Sequence, residues 1–358
     1  MIGLQSPLSL LVLGLMVPVL IGALLVLYIV IKYSPLISRH FEAQPPFMPL
    51  RVNPLDLGET VDFMTDDGLR LAGSYLRART ELQSGLIVYC HEYLSDRWSF
   101  HPYADHFRDL GFDLFTFDFR NHGASDPEPG YDPMQWASDR EVNDLRAALR
   151  YLRSRPDHDP AGFGLFGVSR GGTTALLAAA VEDDVWGVVT DGAFPTRGTM
   201  IPYIIRWSEI YVKSEFIRML VPVWVYIILS WSARRQAERR LNCRFPSVEA
   251  AAARLAPRPW LLIHGERDSF ISPEIARGLF KCGKTPRELW LVPEARHNGC
   301  RECDPAAYAA RLVDFLKRFA PRRPQPAEST VFSGLAGLPE EAVVSGQWSV
   351  VSRVGSRQ

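Results

Sequence analysis

The sequence carries no excess charge of either sign: Lys plus Arg and Asp plus Glu both number 40 in 358 residues. A chain that binds nucleic acid leaves a basic footprint, and none is visible here. Cysteine is sparse too, five in all, and an odd, small number in so long a chain does not make a disulfide framework. That usage fits a reducing compartment better than an oxidising one. Apolar residues at 47% and charged residues at 22% are the balance of an ordinary globular protein with room for a substantial core. No internal repeat is present.

Charge is also missing locally. Between Leu8 and Ile31 no residue is charged, and most are Leu, Val or Ile. About 20 such residues cross a bilayer as a helix. A cleaved signal peptide would want basic residues before a shorter apolar core, then a small-residue cleavage site. No Lys or Arg precedes this run, and Ser34-Pro35-Leu36-Ile37 is a poor cleavage site, so residues 1–34 read as a retained transmembrane anchor. Lys32, Arg39 and Arg51 follow the span, and the positive-inside bias then sets the large C-terminal part on the cytoplasmic side. Residues 35–55, with Gln44-Pro45-Pro46 and Asn53-Pro54, read as a Pro-rich linker that cannot continue the helix and spaces the rest from the bilayer. On this reading a chain lacking the residues up to about Pro54 is a soluble domain that keeps its activity. The tail, 321–358, is rich in Pro, Ser and Gly and reads as loosely ordered.

Residues 56–320 alternate strand and helix patterns. Thr60–Thr65 and Leu69–Arg77 flank Asp66-Asp67-Gly68, a hairpin turn. Leu86–Cys90 is a short continuous apolar run, as a strand buried on both faces requires. Phe112–Phe119, Phe163–Val168, Val185–Thr190, Trp260–His264 and Leu289–Val292 read the same way. Ser138 and Glu141 have capping-box spacing, and Val142, Leu145, Leu149 and Leu152 then form one apolar helical stripe. The fold class is therefore α/β, a mostly parallel sheet with helices on both faces. Residues from about 196 to 247 break the rhythm. They hold an apolar run, Phe216–Trp231, interrupted by Pro222, with nine Lys or Arg against three Glu in the whole segment.

The chemistry lies at the ends of these strands. Gly167-Val168-Ser169-Arg170-Gly171 follows the strand Phe163–Val168 and precedes a helix-forming run from Thr173. This is the strand–turn–helix context of a nucleophile elbow, whose sharp turn needs glycines beside the serine. The following helix points its N-terminal amides at the site, which favours an anionic intermediate. A serine hydroxyl needs a base, and the base an orienting carboxylate. Asp268 and His297 each come just past a strand, in the order nucleophile, acid, base. Carboxyl ends of parallel strands share one edge of the sheet, so the three loops can converge there. Cys300-Arg301-Glu302-Cys303 lacks the second ligand pair of a metal site, so neither metal nor cofactor is called for.

Together these motifs resemble the α/β-hydrolase family over roughly Asp56 to Arg318. Phe117–Ser125 is similar to the Asp-x-Arg-x-His-Gly-x-Ser motif of many members, which is structural, so the resemblance makes His122 a packed residue. It also implies an oxyanion hole from the backbone N–H of Arg170 and of Tyr93 in the loop His91-Glu92-Tyr93. Many relatives carry glycine where this chain has Glu92, and a carboxylate near an oxyanion opposes catalysis unless it points away or is protonated. Some relatives place the acid one strand earlier, which makes Asp191 the rival to Asp268; the context Gly265-Glu266-Arg267-Asp268 favours the latter. The segment 196–247 falls where relatives insert a helical cap, which either packs on the core or dips into the membrane surface. The activity implied is that of a serine hydrolase on an ester or thioester, with an acyl or lipid-like small-molecule substrate. An amide or peptide hydrolase or an acyltransferase would use the same triad. The reading from another class is a catalytically silent, membrane-tethered scaffold.

Overall fold

A computed structural model describes residues 7–44, 49–54 and 58–321; beyond Pro321 the tail expected to be loosely ordered lies outside the described residues. The chain opens with one long helix, α1 (Pro7–Glu42). A hairpin follows, β1 (Glu59–Met64) and β2 (Arg70–Leu76), then β3 (Gly85–Cys90), the short α2 (Phe100–Ala104) and β4 (Phe112–Phe117). Next come α3 (Asp139–Ser154), β5 (Phe163–Val168), α4 (Arg170–Ala179) and β6 (Val185–Asp191). The insertion holds α5 (Thr196–Tyr211), α6 (Glu215–Met219) and α7 (Val223–Leu241), and α8 (Val248–Arg254) returns to the sheet. The rest is β7 (Trp260–Gly265), α9 (Pro273–Cys282), β8 (Arg287–Val292), α10 (Cys300–Cys303) and α11 (Pro305–Phe319).

The strands form one sheet in the order β1-β2-β4-β3-β5-β6-β7-β8. The β1–β2 and β2–β4 pairs are antiparallel and all later pairs parallel. Successive side chains of a strand face opposite ways, and β3 shows it: Leu86, Val88 and Cys90 join Leu145, Leu149 and Leu176 on one face. Ile87 and Tyr89 join Phe107, Leu312 and Phe315 on the other. The capping box starts α3 as its spacing requires, with Ser138 N–H donating to Glu141 Oε2 at 2.9 Å and Arg140 N–H to Ser138 Oγ at 3.1 Å.

The N-terminal helix departs from the sequence reading. It runs through Pro35 to Glu42 instead of ending near residue 34. A helix-interior proline costs about 3 kcal/mol, and packing offsets that here. Val26, Ile29, Val30, Tyr33, Ile37 and Phe41 turn one face of α1 onto the cap, against Val225, Leu229, Ala233 and Ala237 of α7. Pro35 stands exposed on the opposite side. Trp136 Nε1–H donates to Phe41 O at 2.8 Å, and Arg240 of α7 reaches Ser38 Oγ at 2.9 Å and Glu42 Oε2 at 3.0 Å. The end of α1 is therefore part of the cap, not a spacer. From Gly14 to Leu25 the same helix is exposed on all sides, and it is the one helix among the described residues long and apolar enough to cross a membrane. Within the cap, Pro222 splits the apolar run into α6 and α7, serving as the N-cap of α7.

Candidate active site

Ser169 stands at the sharp turn between β5 and α4, with φ of 51° and ψ of −116°, a conformation L-residues hold only when their surroundings impose it. The Ser169 N–H donates to Asp191 O at 2.7 Å, tying the turn to the end of β6. The flanking glycines are needed for close approach. A Cβ on Gly167 would stand 2.4 Å from Gly171 O, and one on Gly171 would stand 2.2 Å from Cys90 O. The second distance also shows that α4 begins hard against the loop leaving β3, which carries His91, Glu92 and Tyr93.

Asp268 follows β7 and His297 follows β8, and the parallel register brings both loops to the edge where Ser169 lies. Ser169 Oγ is 3.0 Å from His297 Nε2, and His297 Nδ1 is 2.6 Å from Asp268 Oδ2. Asp268 Oδ1 accepts the N–H groups of Phe270 and Ile271, each at 2.8 Å. Burial would raise the Asp268 carboxyl, but the hydrogen bond and charge of His297, the nearby His264 and the Ile271 N–H outweigh it and hold the group below the usual carboxylate range. An ionised acid keeps the proton of the neutral imidazole on Nδ1 and turns a bare Nε2 to the serine hydroxyl. Such a chain can take the hydroxyl proton as the oxygen attacks a carbonyl carbon.

Asp191 is not in this chain. It is fully buried and accepts Tyr308 O–H at 2.9 Å, and burial, only partly offset by Tyr308 and Cys300, pushes it up to about 6. Of the cysteine pair, Cys300 is buried beside Asp191 while Cys303 is exposed.

A cavity of about 410 Å³ opens over Ser169 and His297, within the usual range for a small-molecule site. Trp136, Phe194, Phe270 and Ile271 supply apolar wall from the domain, and Tyr203, Trp207 and Ile210 of α5 from the cap. His40, Ala43 and Gln44, at the end of α1, line it as well. The sequence reading missed this contribution. Tyr33, Ile37 and Phe41 recur every four residues past Lys32, and that continuing helical period was the signal for it.

Comparison with known proteins agrees with this architecture. The family model of the alpha/beta hydrolase fold matches residues 85–242. The Pyrococcus furiosus esterase Pf2001 superposes with a TM-score of 0.57 at 22% identity, over 78% of this chain and 98% of that one. The chain has the α/β-hydrolase fold. Among sequence relatives, the uncharacterized protein YfhR of Escherichia coli K12 is 24% identical over 264 residues, 72% of this chain and 80% of that one. The thiohydrolase aneE of Aspergillus aculeatus is 33% identical over 167 residues, 43% of this chain and 50% of that one.

Within this α/β-hydrolase domain the segment after β4 is a packed scaffold. Asp118 accepts Arg97 N–H at 2.6 Å and Ala124 N–H at 2.9 Å. A Cβ on Gly123 would fall 2.2 Å from that carboxylate. Arg120 is fully buried and forks onto Asp144 at 2.9 and 2.6 Å. His122 donates from Nδ1 to Arg120 O at 2.7 Å and accepts the Arg170 guanidinium on Nε2 at 3.1 Å. Burial and the Arg170 charge push it well below the ordinary histidine range, so it is neutral and structural.

The loop after β3 is held in the same way. His91 Nδ1–H meets Glu92 O at 2.7 Å, and its Nε2 accepts Phe119 N–H at 3.1 Å. Tyr93 is buried with the Arg170 guanidinium 5.2 Å above its ring. That buried side chain of Arg170, which also donates to Met134 O at 3.1 Å, was not foreseen; only the residue's backbone N–H had been singled out. Glu92 lies outside the cavity lining. Its Oε2 accepts Ser99 Oγ–H at 3.3 Å, and burial pushes the carboxyl up to about 7. It is turned from the site, and the raised carboxyl is only partly ionised at neutral pH, so both conditions that make a carboxyl tolerable here are at least partly met.

Proposed function

We propose that this protein is a membrane-anchored serine hydrolase that cleaves an ester or thioester of an acyl, lipid-like substrate through an acyl-serine intermediate. The observation that carries the reading is the unbroken hydrogen-bonded chain Ser169–His297–Asp268 at the floor of an apolar cavity. Ser169 Oγ attacks the carbonyl while His297 takes its proton, and Asp268 stabilises the resulting imidazolium. The N–H of Arg170, at the start of α4, and that of Tyr93 hold the oxyanion. His297 returns its proton to the leaving group, then activates the water that releases the acid. No cofactor or metal enters these steps. Thioester cleavage gains support from the similarity to a protein named as a thiohydrolase.

Retention of the anchor is supported by α1 itself. A cut after the apolar run would remove part of a helix packed on the cap from Val26 to Phe41. With Lys32, Arg39 and Arg51 after the span, the catalytic domain lies on the cytoplasmic side.

The test is fluorophosphonate labelling of wild type beside Ser169→Ala, followed by an ester and thioester panel of graded acyl length. Labelling lost only in the mutant, with a chain-length optimum, is the expected result. A folded wild type that neither labels nor turns over would refute the activity and leave a membrane-tethered scaffold.

A further inference from the structure

The cap carries an apolar surface that neither the core nor the active site uses. Phe216, Met219, Leu220, Val223 and Trp224 are 65, 73, 63, 61 and 51% exposed, and α6 buries no residue at all. A contiguous patch of this kind on an isolated tip marks an interaction surface. We infer that the turn joining α6 to α7 is a second membrane contact, sunk into the same leaflet that α1 enters; this rests on reading α1 as the anchor.

The register of α1 against α7 carries the argument. Arg240 bonds to both Ser38 and Glu42, so position 240 of α7 stands level with position 40 of α1. From there the buried stripe Ala237, Ala233, Leu229, Val225 runs back along Ile37, Tyr33, Ile29 and Val26. The two helices are thus parallel and in step. Trp231 stands level with Ile31, the end of the uncharged run, and Val223 stands level with Ala23, inside it. Whatever medium surrounds α1 at that height also surrounds the tip.

Both helices change character at one height. On α1 the Lys32 ammonium lies 5.3 Å from the rings of Tyr28 and of Tyr33. On α7 the Arg235 guanidinium lies 5.9 Å from the ring of Trp231, half exposed, with Arg234 and Arg239 beside it. Aromatic residues followed by cations are what a membrane–water boundary selects, and here two segments far apart in sequence agree on its position. From Trp231 down to Val223 is eight residues, about 12 Å of helical rise. Half the hydrocarbon core is about 15 Å, so the tip enters one leaflet without crossing it. Arg218, the cation nearest the tip, is turned back onto the carbonyls of Val212 and Lys213 at 2.6 and 3.3 Å, the posture of a side chain whose charge avoids lipid. Two contacts, unlike one, fix the rotation of the domain about α1. They hold the cavity mouth at His40 about 12 Å above the boundary at Lys32.

The test uses the full chain in phosphatidylcholine vesicles doped with doxyl-labelled phosphatidylcholine. An environment-sensitive dye is attached at Met219→Cys or, as the water-exposed control, Leu82→Cys, each with Cys282→Ser and Cys303→Ser. The dye at position 219 is expected to shift to the blue and to be quenched by the doxyl lipid several-fold more than the dye at position 82. Equal quenching at the two positions overturns the inference. So does a blue shift without lipid quenching, which means that protein, such as a second copy of this chain, covers the tip. A chain that does not float with the vesicles overturns anchor and tip together. Turnover of a short soluble ester in the same samples reads the catalytic assignment separately.

Discussion

Replacing Phe41 by alanine removes the ring that joins the N-terminal helix to the wall of the active-site cavity. Phe41 is 1% exposed, stacked on Trp136 at 4.8 Å and edge-on to Phe245 at 5.1 Å. Trp136 in turn lines the cavity and meets Phe194 edge-on at 5.6 Å. Truncating a buried phenylalanine costs about 3–5 kcal/mol, transfer and residual cavity together. For a domain of this size each kcal/mol lowers Tm by about 2–4 °C, so a fall of roughly 6–20 °C is expected. Thermal unfolding of the full chain in detergent, followed by tryptophan fluorescence, measures it. Kinetics on a short soluble ester should show KM rising more than kcat falls, because the wall moves while Ser169, His297 and Asp268 stay on their strand ends. The same reasoning separates two truncations: removing residues 1–20 should spare short-ester turnover in detergent, whereas removing 1–44 should abolish it. A Tm change under about 2 °C with KM unaltered, or an active chain lacking residues 1–44, would refute the claim that α1 is part of the catalytic unit.

Asp268→Asn should cut kcat on the order of 10³- to 10⁴-fold by losing the Nδ1–H tautomer, whereas Asp191→Asn should change kcat less than about tenfold; equal losses would return the acid role to contention. Glu92→Gln should leave kcat unchanged and alter stability in a pH-dependent way. The folded pKa of Glu92, about 7, is raised above the ordinary 4.5, so its protonated form adds stability that is full below pH 4.5 and lost as pH rises through 7. The variant should therefore gain stability over wild type at pH 8 relative to pH 4.5, by up to about 3 kcal/mol in linkage terms, and a pH-independent difference in Tm would refute this. Gly171→Ala should abolish activity, because its Cβ meets the backbone carbonyl of Cys90 at 2.2 Å; normal kcat in the folded variant would contradict the packing of α4 on the loop after β3.

Much of the fold was legible because its signals are local. Each strand of the parallel part announced itself as a short apolar run, and Ser138 with Glu141 marked the start of α3 through contacts made within one turn. The elbow was legible for the same reason, since Gly167, Ser169 and Gly171 lie within five residues of each other. The linker boundary was misread because Pro35 is a genuine local stop signal. It was overridden by burial of Ile37 and Phe41 against residues some two hundred positions later.

The sequence by itself determined the sheet, the nucleophile turn and the order of the three candidate residues, since these follow from short-range periodicity and from strand ends sharing one edge. Only the tertiary structure decided which carboxylate meets His297. Asp191 and Asp268 both follow strands, but one points to Tyr308 and the other to Nδ1. Only the tertiary structure turned Glu92 toward Ser99 and drew α1 into the cavity wall. Direction of a side chain and packing between distant segments depend on the whole arrangement of neighbours, and no stretch of sequence holds that arrangement alone.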